Sequence, residues 1–386
     1  MNLAHKKNSK KHHLMSFKNI LAPLSPKTFI SDYWQKKSLF VPQAGPDTQD
    51  WLTRQKLFEL AQLDNVESRL ITHQLNGQFT LTVGPFTRQQ LARLPKRNWT
   101  LLVQGVEQYC PEAHSVLQRF DFISHARRDD LMVSYAVPGG GVGPHFDSYD
   151  VFLLQGLGVR NWQLSAQKDL RLVKNAPLRI LKHMVSEQQW EAKEGDLLYV
   201  PPRYAHHGIA KTECVSLSIG FRIPSHQELG QAFLDSLQDH LALEGMIEDP
   251  DLVWQSHPAE LPDYLLKKFT KSLNKIRWTD ADIRQFTGCY LTEPKTSVVF
   301  TPASQRLGLA RLEQKIKKHG IRLALSTKML LAGNTVFING EAHRLNAKDR
   351  KMVLMLADQR ESPPFSPTQA TLMLFQQWYR AGYLHL

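Results

Sequence analysis

His145 and Asp147 stand one residue apart, directly after a stretch of backbone that has to bend: Pro138-Gly139-Gly140-Gly141-Val142-Gly143-Pro144. Four glycines and two prolines among residues 138–147 make a sharp turn. The apolar run Val151-Phe152-Leu153-Leu154 behind it reads as a strand. If the His-x-Asp pair belongs to that strand, alternation sends His145 and Asp147 to one face and Phe146 to the other. An imidazole and a carboxylate then converge, and a metal held between them needs a further donor. The stretch Gly195-Asp196-Leu197-Leu198-Tyr199-Val200-Pro201-Pro202-Arg203-Tyr204-Ala205-His206-His207-Gly208 offers one, as a turn, a strand and a proline-bent loop that delivers a histidine. In an extended segment His206 and His207 face opposite ways, so only one can reach the metal, and spacing alone leaves both open. Two imidazoles and one carboxylate with open positions are the donor set of a non-haem ferrous site. A His-x-Asp pair alone is weak evidence and far more often marks a hydrogen-bonded surface pair than a metal site. The glycine-rich entry and the second strand ending in Pro-Pro favour a metal site at the mouth of a small β-barrel.

The surrounding elements must hold these donors in place. Ser25 caps a helix that begins at Pro26 and carries Phe29, Ile30, Tyr33 and Trp34. A short strand spans 38–42, and a helix is expected over 51–63 from Leu52, Leu57, Leu60 and Ala61. Segments 68–72 and 78–85 read as strands paired about Asn76-Gly77. A further strand covers 99–104, a helix 111–120, and a strand 129–137 that carries Ser134 and runs into the glycine turn. Ser134 lies where a hydroxyl can contact a bound acid or bond neighbouring backbone. Arg160 opens a returning strand; a buried guanidinium requires a carboxylate, and its planar fork suits a dicarboxylate ligand, whereas an exposed one is an ordinary salt bridge. Over 214–221 the alternation is clean, Ser216 and Ser218 sharing one face and Leu217, Ile219 and Phe221 the other.

At Pro224 the period turns helical, with Leu229, Ala232, Phe233, Leu237, His240, Leu241 and Leu243 in one stripe and a second helix expected over 258–276. Such stripes dock on the barrel or on another subunit. Further on, 328–332, 335–338 and 341–345 are strands joined by two tight turns, followed by helices over 347–356 and 368–380. Helices with a strand ribbon in so short a span suggest a winged-helix-like module, giving an α+β chain.

The 386 residues suit two or three domains, and 42% hydrophobic with 22% charged residues supports a sizeable core. A net charge of +12 favours acidic partners, ribosome or RNA proximity first among them. Arg311, Lys315, Lys317, Lys318 and Arg322 are candidate phosphate contacts or simply a solvated face. Cys110, Cys214 and Cys289 form no disulfide framework, which fits a reducing cytoplasm. No stretch reaches the roughly 18 apolar residues of a membrane span. Residues 1–15 read as a basic disordered tail.

Residues 138–147 with Tyr149-Asp150-Val151-Phe152, Gln155-Gly156 and Trp162 resemble the Jumonji-type (JmjC, cupin-superfamily) ribosomal oxygenases, as do Gly195 to Pro202 and Ser218-Ile219-Gly220-Phe221-Arg222. The likeness is strongest to the bacterial branch that hydroxylates an arginine of a large-subunit ribosomal protein. It implies a double-stranded β-helix (jelly-roll) oxygenase domain over 16–223, a helical dimerisation region over 224–290 and a winged-helix-like domain over 291–386. It also implies Fe(II) as cofactor, 2-oxoglutarate and O₂ as co-substrates, a ribosomal protein substrate and a homodimer. By the same resemblance His145, Asp147 and His206 are the metal ligands, although Arg203 and Ala205 replace a glycine and a proline of the usual loop and His207 a glutamate. Arg160 corresponds to the arginine that grips the co-substrate, with Ser134 and Ser218 beside it. Tyr149, Asp150 and Asp130 are the nearest polar candidates to grip a guanidinium. Two other readings stand beside this one: the same chemistry on a histidine or lysine of another ribosomal or chromatin-like protein, and a non-catalytic cupin-like binding protein.

Overall fold

The computed structural model describes residues 19–45, 48, 50–73, 78–238 and 241–386. The tail expected over 1–15, the Asn76-Gly77 turn and His240 lie outside the described residues. Two compact units divide the chain, Met1–Arg222 and Ile223–Leu386.

In the first unit, helix α1 (Pro26–Asp32) starts as its residue types dictate. Ser25 Oγ accepts from the Thr28 N–H at 3.0 Å, and Pro26 takes a position where an N–H would have no helical partner. After β1 (Leu39–Val41), helix α2 (Arg54–Leu60) is shorter than the expected 51–63 because Thr53 caps it, its hydroxyl accepting from the Lys56 N–H at 3.2 Å. Strands β2 (Ser68–His73) and β3 (Phe79–Val83) pair antiparallel as their turn signal requires. There follow α3 (Arg88–Ala92), β4 (Trp99–Val103), α4 (Pro111–Gln118), β5 (Arg128–Ala136), β6 (Asp150–Leu157), β7 (Arg160–Ser165), β8 (Gln188–Ala192), β9 (Leu197–Val200), β10 (Ala205–Ala210) and β11 (Cys214–Phe221).

These strands make an eight-stranded sheet in the order β1-β9-β6-β11-β5-β4-β2-β3 and a three-stranded sheet β10-β7-β8. The layering follows from β6, which is apolar on both faces. Val151 and Leu153 pack between the sheets with Trp162, Leu164, Leu198 and Val200. Phe152 and Leu154 point the other way, into a cluster with Phe29, Phe120, Tyr199 and Phe221. A strand buried on both sides therefore shows an unbroken apolar run rather than alternation. Together the two sheets form the jelly-roll barrel whose mouth receives the site.

The second unit contains α5 (His226–Gln238), α6 (Asp263–Leu273), α7 (Asp280–Thr292), α8 (Leu309–His319), β12 (Ile321–Leu323), β13 (Met329–Ala332), β14 (Thr335–Ile338), β15 (Glu341–Arg344), α9 (Arg350–Gln359), β16 (Glu361–Ser362), α10 (Gln369–Ala381) and β17 (Leu384–His385). Helix α6 begins after Pro262, not at Pro258, and α5 stops before Leu241 and Leu243. Apolar periodicity does not announce α7 and α8. Helix α7 opens on a capping box in which Thr279 and Asp282 each accept from the other's backbone N–H. Helix α8 buries only Leu312 and Ile316, and after Leu309 and Ala310 its other residues are charged or polar. Strands β13, β14 and β15 form the expected antiparallel ribbon, and α10 ends at Gly382, whose φ of 82° suits a residue without a side chain. Among the described residues no helix is long and apolar enough to cross a membrane.

Candidate metal centre

His145 and Asp147 do not lie on β6, which starts only at Asp150. The expectation that they continue the strand fails because Gly143 takes a φ of 79° and Pro144 has no N–H to give to a ladder. His145 instead forms an isolated antiparallel bridge with His206, each N–H donating to the other's carbonyl at 3.0 and 2.8 Å. The Arg203 N–H donates to the Asp147 carbonyl at 2.7 Å, so the proline-bent loop is stitched to the glycine-rich one by main-chain bonds.

One donor atom from each of His145, Asp147 and His206 lies within 4.8 Å of the others. His206 Nε2 is 3.6 Å from Asp147 Oδ2, and the two imidazole centroids are 4.1 Å apart. Each ring is held through Nδ1: His145 Nδ1–H donates to the Gly143 carbonyl and His206 Nδ1–H to the Tyr204 carbonyl, both at 3.0 Å. A carbonyl can only accept, so Nδ1 carries the proton and both Nε2 atoms keep their lone pairs for a metal. His206 is 2% exposed, and burial followed by the neighbouring His145 pushes its imidazole down to about 4. It is neutral near pH 7, the form that binds metal. His207 is also pushed down to about 4, by burial and then by His145 and His73, but it stands outside the cluster. Two imidazoles and a carboxylate, already converged, are a donor set that fits Fe(II).

A cavity of about 300 Å³ opens onto the cluster and is lined as well by Arg160, Ser134 and Ser218. Arg160 is 3% exposed, donates through one terminal nitrogen to Ser134 Oγ at 3.1 Å and lies 5.6 Å from the Trp162 ring centroid. Its Nε has no hydrogen-bond partner among the described residues. Among the described residues no carboxylate pairs with it. The anion that a buried guanidinium requires is thus left for a ligand to bring.

Of the three candidate guanidinium contacts, Asp130 and Tyr149 line the cavity and Asp150 does not. Asp150 is fully buried elsewhere, accepting from Tyr199 Oη at 2.6 Å, Gln35 Nε2 at 2.8 Å and Arg127 at 3.2 Å, so it ties β6 to the α1 end of the barrel. Gln104 Nε2 donates to Asp130 Oδ2 at 2.7 Å, and Arg69 donates to Gln104 Oε1 at 3.2 Å. Behind this wall Glu107 accepts from the Leu131 N–H at 3.0 Å, and burial, then Asp130, raises its carboxyl to about 7. Burial and the charges of Asp147, Asp130 and Asp129 likewise push the Tyr149 hydroxyl up. Gln104, Arg69 and Arg179 join the lining without having been marked by the sequence. Only Gln104 leaves a trace there, as the polar end of the apolar run Trp99 to Val103.

The JmjC domain family model matches residues 115–229, and the ROXA-like winged helix model matches residues 275–384. The chain is 29% identical over 370 residues to the ribosomal protein uL16 3-hydroxylase of Escherichia coli, covering 92% of this chain and 97% of that one. It is 37% identical over 232 residues to a probable ribosomal oxygenase of Haemophilus influenzae, covering 59% of this chain and 55% of its relative. An X-ray structure of E. coli YcfD superposes with a TM-score of 0.83 at 27% identity, covering 94% and 98% of the two chains. A structure of the same ribosomal oxygenase in complex with cobalt and 2-oxoglutarate superposes with a TM-score of 0.80 at 26% identity and the same coverage. With a jelly-roll barrel, a converged His-Asp-His cluster and a winged helix following in this order, the chain combines a JmjC domain with a ROXA-like winged helix and is similar over nearly its whole length to a bacterial ribosomal oxygenase.

Proposed function

We propose that this protein is an Fe(II)- and 2-oxoglutarate-dependent oxygenase that hydroxylates an arginine side chain of a large-subunit ribosomal protein. The observation that carries the reading is the pairing, in one cavity, of the His145-Asp147-His206 donor set with a buried Arg160 whose Nε lacks a partner among the described residues. Its relatives support it: one is named a uL16 3-hydroxylase, and a structure of the E. coli ribosomal oxygenase YcfD is described in complex with cobalt and 2-oxoglutarate.

When bound, the ferrous ion supplies O₂ activation coupled to oxidative decarboxylation of 2-oxoglutarate. The chain's residues do the positioning. Arg160, oriented by Ser134 and backed by Trp162, takes the distal carboxylate in a charge-assisted bond, and Ser218 lies along the same wall. Asp130, held by Gln104, offers a carboxylate to the incoming guanidinium, with Tyr149 beside it. Anchoring the charged end of the side chain fixes which methylene stands next to the metal, and so fixes the carbon attacked.

The finer parts of the reading are a homodimer formed through the helical region 224–290, a winged-helix domain over 291–386, work in the cytoplasm, and a basic surface that keeps the enzyme close to ribosomal RNA. The dimer is supported by apolar side chains left exposed on the helices: Leu234, Leu266, Phe269 and Leu273 are 61%, 45%, 48% and 63% exposed. The test is mass spectrometry of ribosomal proteins from cells with and without the gene. A gain of one oxygen on an arginine peptide, dependent on the gene, is the expected result. The same gain on a histidine peptide, or an unchanged peptide set, overturns the substrate assignment.

A further inference from the structure

Residues 291–386 hold fourteen Lys and Arg against six Asp and Glu, a net +8 out of the chain's +12. Charge so concentrated repels itself unless an anionic partner takes it up. Part of it has an internal reason. On α8, Lys317 pairs with Glu313 at 2.7 Å, and Lys317, Lys318 and His319 fill the last turn, where cations offset the helix dipole.

The ribbon tip has no such reason. The Gly333-Asn334 turn between β13 and β14 is fastened to the segment leading into α9: the Leu345 N–H donates to the Asn334 carbonyl at 2.8 Å, and Arg350 Nε–H donates to the Gly333 carbonyl at 2.8 Å. Those two bonds gather Arg344, Lys348, Arg350 and Lys351 around one hairpin tip. Arg344, Lys348 and Lys351 are exposed and make no ion pair among the described residues. The only carboxylate between residues 342 and 357 is Asp349. It is 4% exposed and turned inward, accepting from the Thr368 N–H at 3.0 Å and hydroxyl at 2.5 Å. The rest of the tip, Gly333, Asn334, Asn346 and Ala347, is exposed and offers no large apolar side chain to anchor a polypeptide.

We propose that this tip, with Arg344, Lys348 and Lys351 as contacts and Arg350 as the strut that holds them to the turn, grips an RNA backbone. Flexible cations without aromatic platforms or apolar anchors suit phosphates and read no base sequence. The proposal deepens the RNA-proximity part of the function above. Its test reads binding and not turnover, so each fails separately.

The experiment is fluorescence anisotropy of the full chain with a labelled RNA hairpin across 50 to 200 mM salt. The unaltered protein should show log affinity falling with log salt at a slope of about −3. Arg344→Glu/Lys348→Glu/Lys351→Glu should weaken binding roughly tenfold or more and flatten the slope by about 2. The milder Arg344→Gln/Lys348→Gln/Lys351→Gln should fall in between, with an unchanged melting temperature as the check on folding. Lys315→Glu/Lys318→Glu on α8 should change affinity by less than about threefold. Hydroxylation of the isolated ribosomal protein should be the same in all of these variants. Absence of RNA binding at 50 mM salt, no loss in the triple reversal, an equal loss in the α8 variant, or tighter binding to polyglutamate than to RNA each overturns the assignment.

Discussion

His145 and His206 face one another across a two-way main-chain bridge, and each ring points its Nδ1–H back at a carbonyl two residues earlier. The ligand geometry is therefore set before any metal arrives. His206→Ala or Asp147→Ala should lower Co(II) or Fe(II) affinity by more than roughly 100-fold, beyond the loss usual for a supporting partner. His207→Ala should change it by only a few fold. Titration of the Co(II) absorption bands checks both, and a larger loss at position 207 would reverse the choice of ligand.

On the proposed function Arg160 acts on the co-substrate and leaves the metal to other residues. Arg160→Ala should raise the KM for 2-oxoglutarate by roughly 100-fold, in keeping with a charge-assisted bond of about 1.5–3 kcal/mol. Ser134→Ala, which removes a single neutral partner, should cost nearer to fivefold. Metal affinity measured without 2-oxoglutarate should stay unchanged in both, which separates this role from a structural one.

The depressed histidines make stability depend on pH in a stated direction. In the folded chain His206 and His207 release their protons down to about 4, whereas the unfolded chain holds them up to about 6.5. Between those values the unfolded state binds more protons, so stability rises with pH, is complete above 6.5 and is lost toward 4. For His207 alone the linkage is on the order of 3 kcal/mol. Urea denaturation of the metal-free protein at pH 4.5 and 7 should show this loss, and His207→Gln should reduce it.

Gly208 sits on β10 opposite Trp162, and a Cβ there would meet the indole ring at 2.5 Å. Gly208→Ala should destabilise the protein by about 1–3 kcal/mol through overpacking. Because β10 also presents His206, the same change should weaken metal binding. Thermal unfolding and the Co(II) titration read the two effects.

If the helical region joins two copies, Leu234→Glu/Leu273→Glu should convert a dimer to a monomer in light scattering. Both side chains are more than half exposed, so the folded chain should keep its secondary structure.

The barrel strands and the ribbon were legible because burial imposes period two or an unbroken apolar run, as on β6 and β14. The donor types were legible too, since the residue kinds of His-x-Asp after a glycine turn and of a histidine after Pro-Pro name a donor set, although the pair proved to lie off the strand. What escaped was set by main-chain geometry. The carbonyls of Gly143 and Tyr204 reach the imidazoles only because two loops bend in a particular way. Asp150 looked like a substrate contact from its place in the chain, yet it is drawn inward by Tyr199 and Gln35, more than a residue's reach away in sequence. Helix α8 escaped because its buried stripe is two residues wide.

The bridge between positions 145 and 206 is built from main-chain atoms alone, and this separates architecture from chemistry. Replacing either imidazole by another coordinating group leaves the two anchor points at the same spacing. Such a scaffold can drift toward a different metal, or be retuned in the laboratory, by exchanging side chains while the chain path stays as it is.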